Sequence, residues 1–554
     1  MKIKIIYSLL LVIFCGAFSL IHPSSHAFAQ TDDWNTSFHD VQRDSVSNDT
    51  TFSATNAAQI GVKWKFKTQG PVSAEPTVVN NVMYVGSWDG YMYALNATTG
   101  ALIWKTYLGI TIANSYCIPS ALGIASTATV QNGIVYVGGG DDRWYALNAQ
   151  NGSILWSVST GDNSAAGGHF NWASPLIING YAYVGIASLG DCPLVQGLML
   201  KIDLTNHLIV NETKIVPDGQ IGGGIWSSPS YDPVTNKIFV ATGTKNAPDQ
   251  EYAQAMLAID ANTMQIVDHW ELPNAWAVLD SDFGTSAIVY DDNIGRKLIT
   301  AINKNGTAYT FNRNNLAGGP LWQQTVAIGG ECPTCSVSSV STPTVQNGNV
   351  FLSGESGDIN GYTYQGTVRA VDASTGNLIW QHGTNGPIFP ALTSANGLIL
   401  DAPGNVFEIL NATSGKRLFS YDTGSGIYSP ASIANGSIYL GNLAGTIYSL
   451  GIQNQNSPVQ DPNCPANFTC QDIGTPTVQG SETVTNGNWQ INASGNGITG
   501  NTDSFRLLSQ SVSSDNQIAA KINSSAAQNG LMFRQSNDPG APYYAVILNK
   551  NNIV

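Results

Sequence analysis

The chain has 554 residues, 43% hydrophobic and only 11% charged, with 57 glycines, 24 prolines and a formal net charge of −14. That length exceeds one ordinary hydrophobic core, and a glycine-rich, charge-poor composition suits short strands joined by tight turns. No basic stripe exists to neutralise phosphates, so no nucleic-acid partner is expected, and anionic membrane surfaces are disfavoured for the same reason.

In chain order, residues 1–29 read as a secretory signal. Lys2 and Lys4 form the charged start, Ile5 to Ile21 the apolar stretch, and Ala27-Phe28-Ala29 a small-x-small cleavage site before Gln30. An uncleaved anchor is the alternative, but the apolar run is short for a stable span. The mature chain is therefore expected to be secreted, periplasmic or at the cell surface, with no integral membrane segment after cleavage.

Internal repetition organises residues 60–450, within an expected domain of 30–452. The first full unit runs Pro76-Thr77-Val78-Val79, Val82-Met83-Tyr84-Val85-Gly86, Tyr91-Met92-Tyr93-Ala94-Leu95-Asn96 and Thr99-Gly100-Ala101-Leu102-Ile103-Trp104. The second repeats it through Val135–Gly138, Trp144–Asn148 and Asn151–Trp156. Later copies close on Trp270, Trp322 and Trp380, and degenerate copies cover Leu198–Asp203, Val406–Leu410 and Thr446–Leu450, which makes eight units. Four short alternating runs per unit, separated by Gly, Asn or Asp turns, describe a four-stranded antiparallel meander. A lone meander cannot bury both faces, so the units must stack radially, with the closing Trp flat between neighbouring sheets. The expected fold class is all-β, an eight-bladed β-propeller. The last unit lacks a fourth strand, whereas Val62-Lys63-Trp64-Lys65-Phe66-Lys67 is a fourth strand with no unit before it. This N-terminal strand should complete the final blade and remove the open edge.

Residues 453–472, rich in Asn, Gln and Pro, read as a linker holding a small Cys464/Cys470 loop. Residues 473–554 alternate again, as in Asn488–Asn492 and Gln517–Ile522, and stop at Val554 after a strand-like run. A partial β-sandwich, truncated at its C-terminal side, is expected here.

Beyond Cys15 the cysteines number six, an even count that suits disulfides in an oxidising compartment. Short separations favour Cys332–Cys335 and Cys464–Cys470, leaving Cys117–Cys192 by elimination. For Cys332-Pro333-Thr334-Cys335 a local staple is preferred to a redox or metal pair. No second CxxC completes a zinc site, and Ser336 stands where a covalent haem would need His. His169, His207, His269 and His382 lack paired metal spacing and read as structural, and no Ser-His-Asp series or phosphate loop stands out.

Two motifs carry a family resemblance: Asp89-Gly90-x-x-Tyr93-Ala94-Leu95-Asn96-Ala97-x-x-Gly100, and the blade openings Trp172-Ala173-Ser174-Pro175 and Trp226-Ser227-Ser228-Pro229. Over roughly residues 34–450 the chain resembles pyrroloquinoline quinone (PQQ) dehydrogenases, particularly the polyvinyl-alcohol-dehydrogenase-like branch. The resemblance implies PQQ lying on a Trp in a central funnel with Ca²⁺, and an Asp that removes an alcohol's proton as hydride leaves. Gly222-Gly223-Gly224-Ile225-Trp226 looks like the segment with the floor Trp, so Trp226 is the stacking candidate; Trp172 opens the preceding blade and is the second cofactor-contacting candidate. Asp280-Ser281-Asp282-Phe283-Gly284 is similar to the element with the catalytic base, at Asp282, and Asn303-Lys304-Asn305-Gly306 puts Lys304 where a cation bonds the quinone oxygens. The plainer readings are a blade-packing aromatic for Trp226, a turn carboxylate for Asp282 and a solvated turn lysine for Lys304.

The metal candidates depart from the family pattern. Thr244 stands where methanol-oxidising relatives place an Asn ligand, with Asn246 two residues on, and Asp191 offers the remaining carboxylate at shifted spacing. Cys117 is single where several relatives carry an adjacent cysteine pair, and an expected Arg gives way to Gly123-Ile124-Ala125. In the C-terminal segment, Gly530–Ser536 and Asp538-Pro539-Gly540 resemble the start of a laminin-G-like or concanavalin-like sandwich, a class that often binds carbohydrate or surfaces. Two functions are therefore carried forward. One is a secreted oxidoreductase for an alcohol or polyol, passing electrons to an external acceptor. The other is a non-catalytic propeller that binds proteins or polysaccharide.

Overall fold

In nearly every repeat the two middle strands are buried except at their ends, as in Val82–Gly86 and Tyr91–Asn96, because each sheet is packed between two others. The outer strand differs: in Leu102–Tyr107 Trp104 points inward while Leu102 and Ile103 face solvent. A computed structural model describes residues 33–330 and 337–453. Beyond these it describes Cys464, 468–474, 480–485, 488–495, 503–510, 528–534, 543–549, 552–553 and a few single positions. The signal sequence over 1–29 and the Cys332–Cys335 pair lie outside the described residues.

Eight antiparallel sheets follow in chain order. Blades 1 to 7 span 77–107, 129–159, 176–214, 230–271, 288–325, 344–384 and 393–422. Blade 8 joins Ser432–Ala434, Ser437–Gly441 and Thr446–Ile452 to the N-terminal strand Ile60–Lys67. Lys67 pairs with Thr446 and Lys65 with Tyr448, so the ring closes as the strand count requires.

The recurrent Gly and Trp of the repeat meet across each of four blade junctions. Indole N–H groups of Trp64, Trp104, Trp322 and Trp380 donate to the carbonyls of Ala97, Ala149, Ala373 and Ala412 in the next blade, at 2.9, 2.9, 3.0 and 2.9 Å. At Gly152 (φ +71°) a Cβ would lie 2.5 Å from the Trp104 ring, so glycine is needed for space as well as for conformation. Where the third blade has His207 at this turn, Trp156 stacks on the imidazole instead, 4.5 Å away.

Residues 33–59, to which the repeat assigns no blade, run round the innermost strands as a belt. Trp34 bridges Val78 of blade 1, and Asn35 O accepts from Val130 N of blade 2 at 2.8 Å. Val41 O and Gln42 O accept from Tyr231 N and Val289 N of blades 4 and 5 at 2.7 and 3.0 Å. Asp44 O accepts from Thr344 Oγ1 of blade 6, Val46–Ser47 pairs parallel with blade 7, and Asp49 accepts from Gly436 N of blade 8 at 2.7 Å. Blade 3 is engaged by the fully buried Arg43, which donates to Pro175 O at 3.0 Å and to Pro229 O of blade 4 at 2.9 Å.

After the ring, the described strands make small antiparallel sheets. Thr469–Ile473 pairs with Phe505–Ser509, Ser481–Thr485 with Asn488–Asn492, and Gln528–Arg534 with Tyr543–Asn549. Buried Arg506–Glu482 and Arg534–Asp503 ion pairs, at 2.8 and 2.6 Å, and the Cys464–Cys470 disulfide belong to this part. Among the described residues no helix is long and apolar enough to cross a membrane.

Candidate active site

Asp282 and Lys304 are brought together by local backbone geometry. The loop entering blade 5 lies beside the turn after Lys297–Asn303: Lys304 N donates to Asp282 O at 2.8 Å, and Asn303 Nδ2 to Ser281 O at 2.7 Å. On the other side, Gly223 N donates to Thr244 O at 2.8 Å and Gly243 N to Gly224 O at 2.9 Å, which seats the Trp226 segment against the end of Lys237–Ala241.

The side chains then converge. Asp282 Oδ2 accepts from Trp226 Nε1 at 3.2 Å and from Lys304 Nζ at 3.4 Å; Lys304 also donates to Asp280 at 2.9 Å. The Lys304 ammonium stands 5.2 Å from the centre of the Trp226 ring, a cation–π distance. Thr244 Oγ1 lies 2.9 Å from Asp191 Oδ2 and 3.1 Å from Asp282 Oδ1, and Ser188 Oγ is bonded to Asp191 Oδ1. Trp172 donates its N–H to Ser188 O at 2.9 Å, and packs edge-on against Phe170. Cys117 bonds to Cys192, tying the loop between blades 1 and 2 to the residue after Asp191.

Electrostatics follow from burial. Desolvation raises the Asp282 carboxyl to about 7; Lys304 and Thr244 oppose this, while Asp280 and Asp191 add to it. Burial works against the Lys304 ammonium, yet Asp282 and Asp280 hold its pKa above the ordinary lysine value. Glu355 of blade 6 is fully buried, its two oxygens have no hydrogen-bond partner, and burial lifts its pKa to about 8 against the pull of Lys304.

Six of the seven candidates thus belong to one connected neighbourhood: Trp172, Asp191, Trp226, Thr244, Asp282 and Lys304. The structure does not bring Asn246 there. Its side chain is exposed, and its backbone N–H donates to Gln250 Oε1 at 2.8 Å. Sequence reasoning missed Asp280, Ser188 and Glu355. The spacing Asp280-x-Asp282 was visible, but nothing local says that both carboxylates face one lysine. The plain reading of Lys304 as a solvated turn residue fails, because its side chain is only 11% exposed.

A cavity of about 150 Å³ lies on the propeller axis, lined by residues from blade openings, including Trp172 and Trp226, and by Ser37 and Phe38 of the belt. Among the described residues one group of three metal-capable side chains clusters closely, Cys464, Cys470 and Glu482, and its two cysteines are bonded to each other.

Comparison with known proteins agrees with this architecture. The chain is 24% identical over 325 residues to the polyvinylalcohol dehydrogenase of a Pseudomonas species, covering 50% of this chain and 49% of that protein. To the quinoprotein alcohol dehydrogenase PedH of Pseudomonas putida it is 22% identical over 477 residues, covering 67% and 79%. It therefore spans about half the length of the first of these relatives. Among solved structures, the quinohemoprotein alcohol dehydrogenase of Comamonas testosteroni superposes with a TM-score of 0.63 at 17% identity, over 76% of this chain and 80% of that one. At such identity the likeness shows the fold. A family model described as outer membrane protein assembly factor BamB matches residues 48–263 and 304–539. The match covers more than half of the chain, leaving out 264–303 and running past blade 8, and the chain belongs to that family of PQQ-type repeat propellers.

Proposed function

We propose that the chain is an exported quinoprotein oxidoreductase that oxidises an alcohol or polyol with PQQ and Ca²⁺ and passes electrons to an external acceptor. One observation carries the reading. Thr244 has a single hydroxyl proton, yet carboxylate oxygens of Asp191 and Asp282 approach its Oγ1 at 2.9 and 3.1 Å. It can donate to only one of them. Two carboxylates about one hydroxyl are relieved by a cation between them, and an all-oxygen donor set suits calcium. Asn246 is left out of this set.

Trp226, with a cation over its face and Asp282 fixed at its N–H, offers a flat surface suited to a planar, polyanionic quinone. Lys304 would donate to its oxygens. Bound PQQ, resting on Trp226, would supply the two-electron acceptor, and a calcium ion held by Asp191, Asp282 and Thr244 would supply Lewis-acid polarisation. The chain's own residues position and move the proton. Asp282 takes the substrate hydroxyl proton on a carboxylate oxygen, Trp226 Nε1 and Thr244 Oγ1 orient that carboxylate, and Lys304 balances its charge. Relatives whose names specify alcohols support the substrate class.

The test is an absorbance titration of the full chain with PQQ and Ca²⁺, followed by a dye-linked alcohol assay. Uptake at micromolar PQQ with turnover is the expected result; no uptake overturns the proposal. The second reading, a non-catalytic propeller binding proteins or polysaccharide, is favoured by the family's description as an assembly factor. Absence of PQQ uptake in that titration supports it.

A further inference from the structure

The axial cavity has chemistry of its own. At one fixed place in the blade opening a hydroxyl recurs, at Thr127, Ser174, Ser228, Ser286 and Thr342, and each accepts the backbone N–H of the equivalent residue one blade earlier. The bonds are Glu75 N to Thr127, Thr127 N to Ser174, Ser174 N to Ser228, Ser228 N to Ser286 and Ser286 N to Thr342, at 3.0, 3.0, 3.0, 2.9 and 3.0 Å. All five side chains are at least nine-tenths buried and line the cavity.

In every case the oxygen is an acceptor. Among the described residues none of these five hydroxyls donates to a protein atom, although neighbours such as Ser126, Ser227 and Ser341 each donate to a carbonyl. Five buried O–H donors therefore surround about 150 Å³ of space whose lining contains no carboxylate and no carboxamide. A buried hydroxyl proton without an acceptor is costly. The charge nearby has the matching sign. Arg43 is fully buried and bonded to the carbonyls of Pro175 and Pro229, the residues that directly follow Ser174 and Ser228. It also donates to the carbonyl of Ser37, which lines the cavity. The acidic groups acting on Arg43 are Asp40 and then Glu75; burial raises both carboxyls above their ordinary values, Glu75 to about 8, which weakens the negative charge set against the guanidinium.

From this surplus of donors we infer that the axial cavity is a binding site for a small inorganic anion of halide class, held by the hydroxyl ring of blades 2 to 6. A polyol would bring donors of its own to a ring already short of acceptors, whereas a halide accepts from several directions at once. The hydroxyl ring defines the site, and because Trp172 and Trp226 line it as well, the measurements below are made on the chain without added PQQ.

Crystals of the full chain soaked in bromide, measured at the bromine absorption edge, test this directly. An anomalous peak within hydrogen-bond reach of at least three of the five hydroxyl oxygens is expected. Water alone in the cavity, with bromide confined to the outer surface, overturns the inference. In solution, iodide should quench tryptophan fluorescence with a saturable component, since Trp172 and Trp226 line the cavity. Ser228→Ala combined with Ser286→Ala should weaken that component by about tenfold or more; an unchanged saturation curve overturns it. Those substitutions also remove two ladder acceptors, so the bromide experiment on the unaltered chain stands as the measurement that needs no variant.

Discussion

At single positions the repeat is a set of contacts between neighbours in the ring. Gly152 meets the Trp104 ring, whereas Gly180, with φ +81°, has nothing within 4 Å of a built Cβ. Both are left-handed, so alanine at either strains the backbone by roughly 1 kcal/mol. Only Gly152→Ala also displaces an indole. The expected outcome is a clearly larger fall in Tm for Gly152→Ala than for Gly180→Ala, and equal falls would refute the docking argument. At the site, Asp282→Asn keeps the shape and the acceptor for Trp226 Nε1 but removes the base. Dye-linked turnover should vanish while PQQ uptake persists; retained activity rejects Asp282 as the base. Glu75 provides a pH prediction away from that cluster. Burial raises its folded pKa to about 8, above the ordinary glutamate value of 4.5, so the folded state binds the extra proton and stability declines as pH rises between those values. Glu75→Gln preserves an acceptor for Phe38 N, which Glu75 Oε2 meets at 2.8 Å. Its Tm should fall less than that of the parent between pH 5 and 8, and parallel profiles would exclude Glu75 as the source.

Among elements, the belt over 33–59 and the closing strand Ile60–Lys67 do different work. The belt provides acceptors for inner-strand groups, among them Val130 N, Tyr231 N and Val289 N, that a ring of meanders alone would leave bare. The closing strand satisfies the edge of Thr446–Ile452 through the register from Ile60–Ile452 to Lys67–Thr446. A chain that begins at Thr68 should therefore present an unpaired edge, and edges of this kind template further pairing. Light scattering after size exclusion should show self-association that the longer chain lacks. A monodisperse, equally stable monomer would mean that closure does not depend on this strand. The Cys117–Cys192 bridge acts over a separation of 75 residues, and a loop of that length corresponds to about 4.5 kcal/mol of chain entropy. By its position it holds the loop of Asp191 at the site.

For the whole molecule, what could be read in advance is what repeats. Short-range alternation identifies a strand, and the return in most units of a turn followed by a strand that closes on Trp identifies a sheet that must stack on copies of itself. Counting strands then places Trp64 beside blade 8. Resemblance to a known family, not the period, marked Trp226, Asp282 and Lys304, and the cysteine spacing led to the pairs Cys117–Cys192 and Cys464–Cys470 that the structure contains. The rest depends on residues far apart in the chain whose meeting leaves no local trace. Asp191 and Asp282 share one threonine only because blades 3, 4 and 5 place their loops around a common axis. Lys304 is buried between two carboxylates because the loop before blade 5 folds over its turn. The belt has no period, so its eight successive engagements cannot be deduced from its own residues. The hydroxyl ladder was present in the blade openings as a recurring Ser or Thr, yet its meaning required the ring. In sequence these are isolated polar residues; once the blades close, each oxygen takes the N–H of the preceding blade and lines the axial cavity.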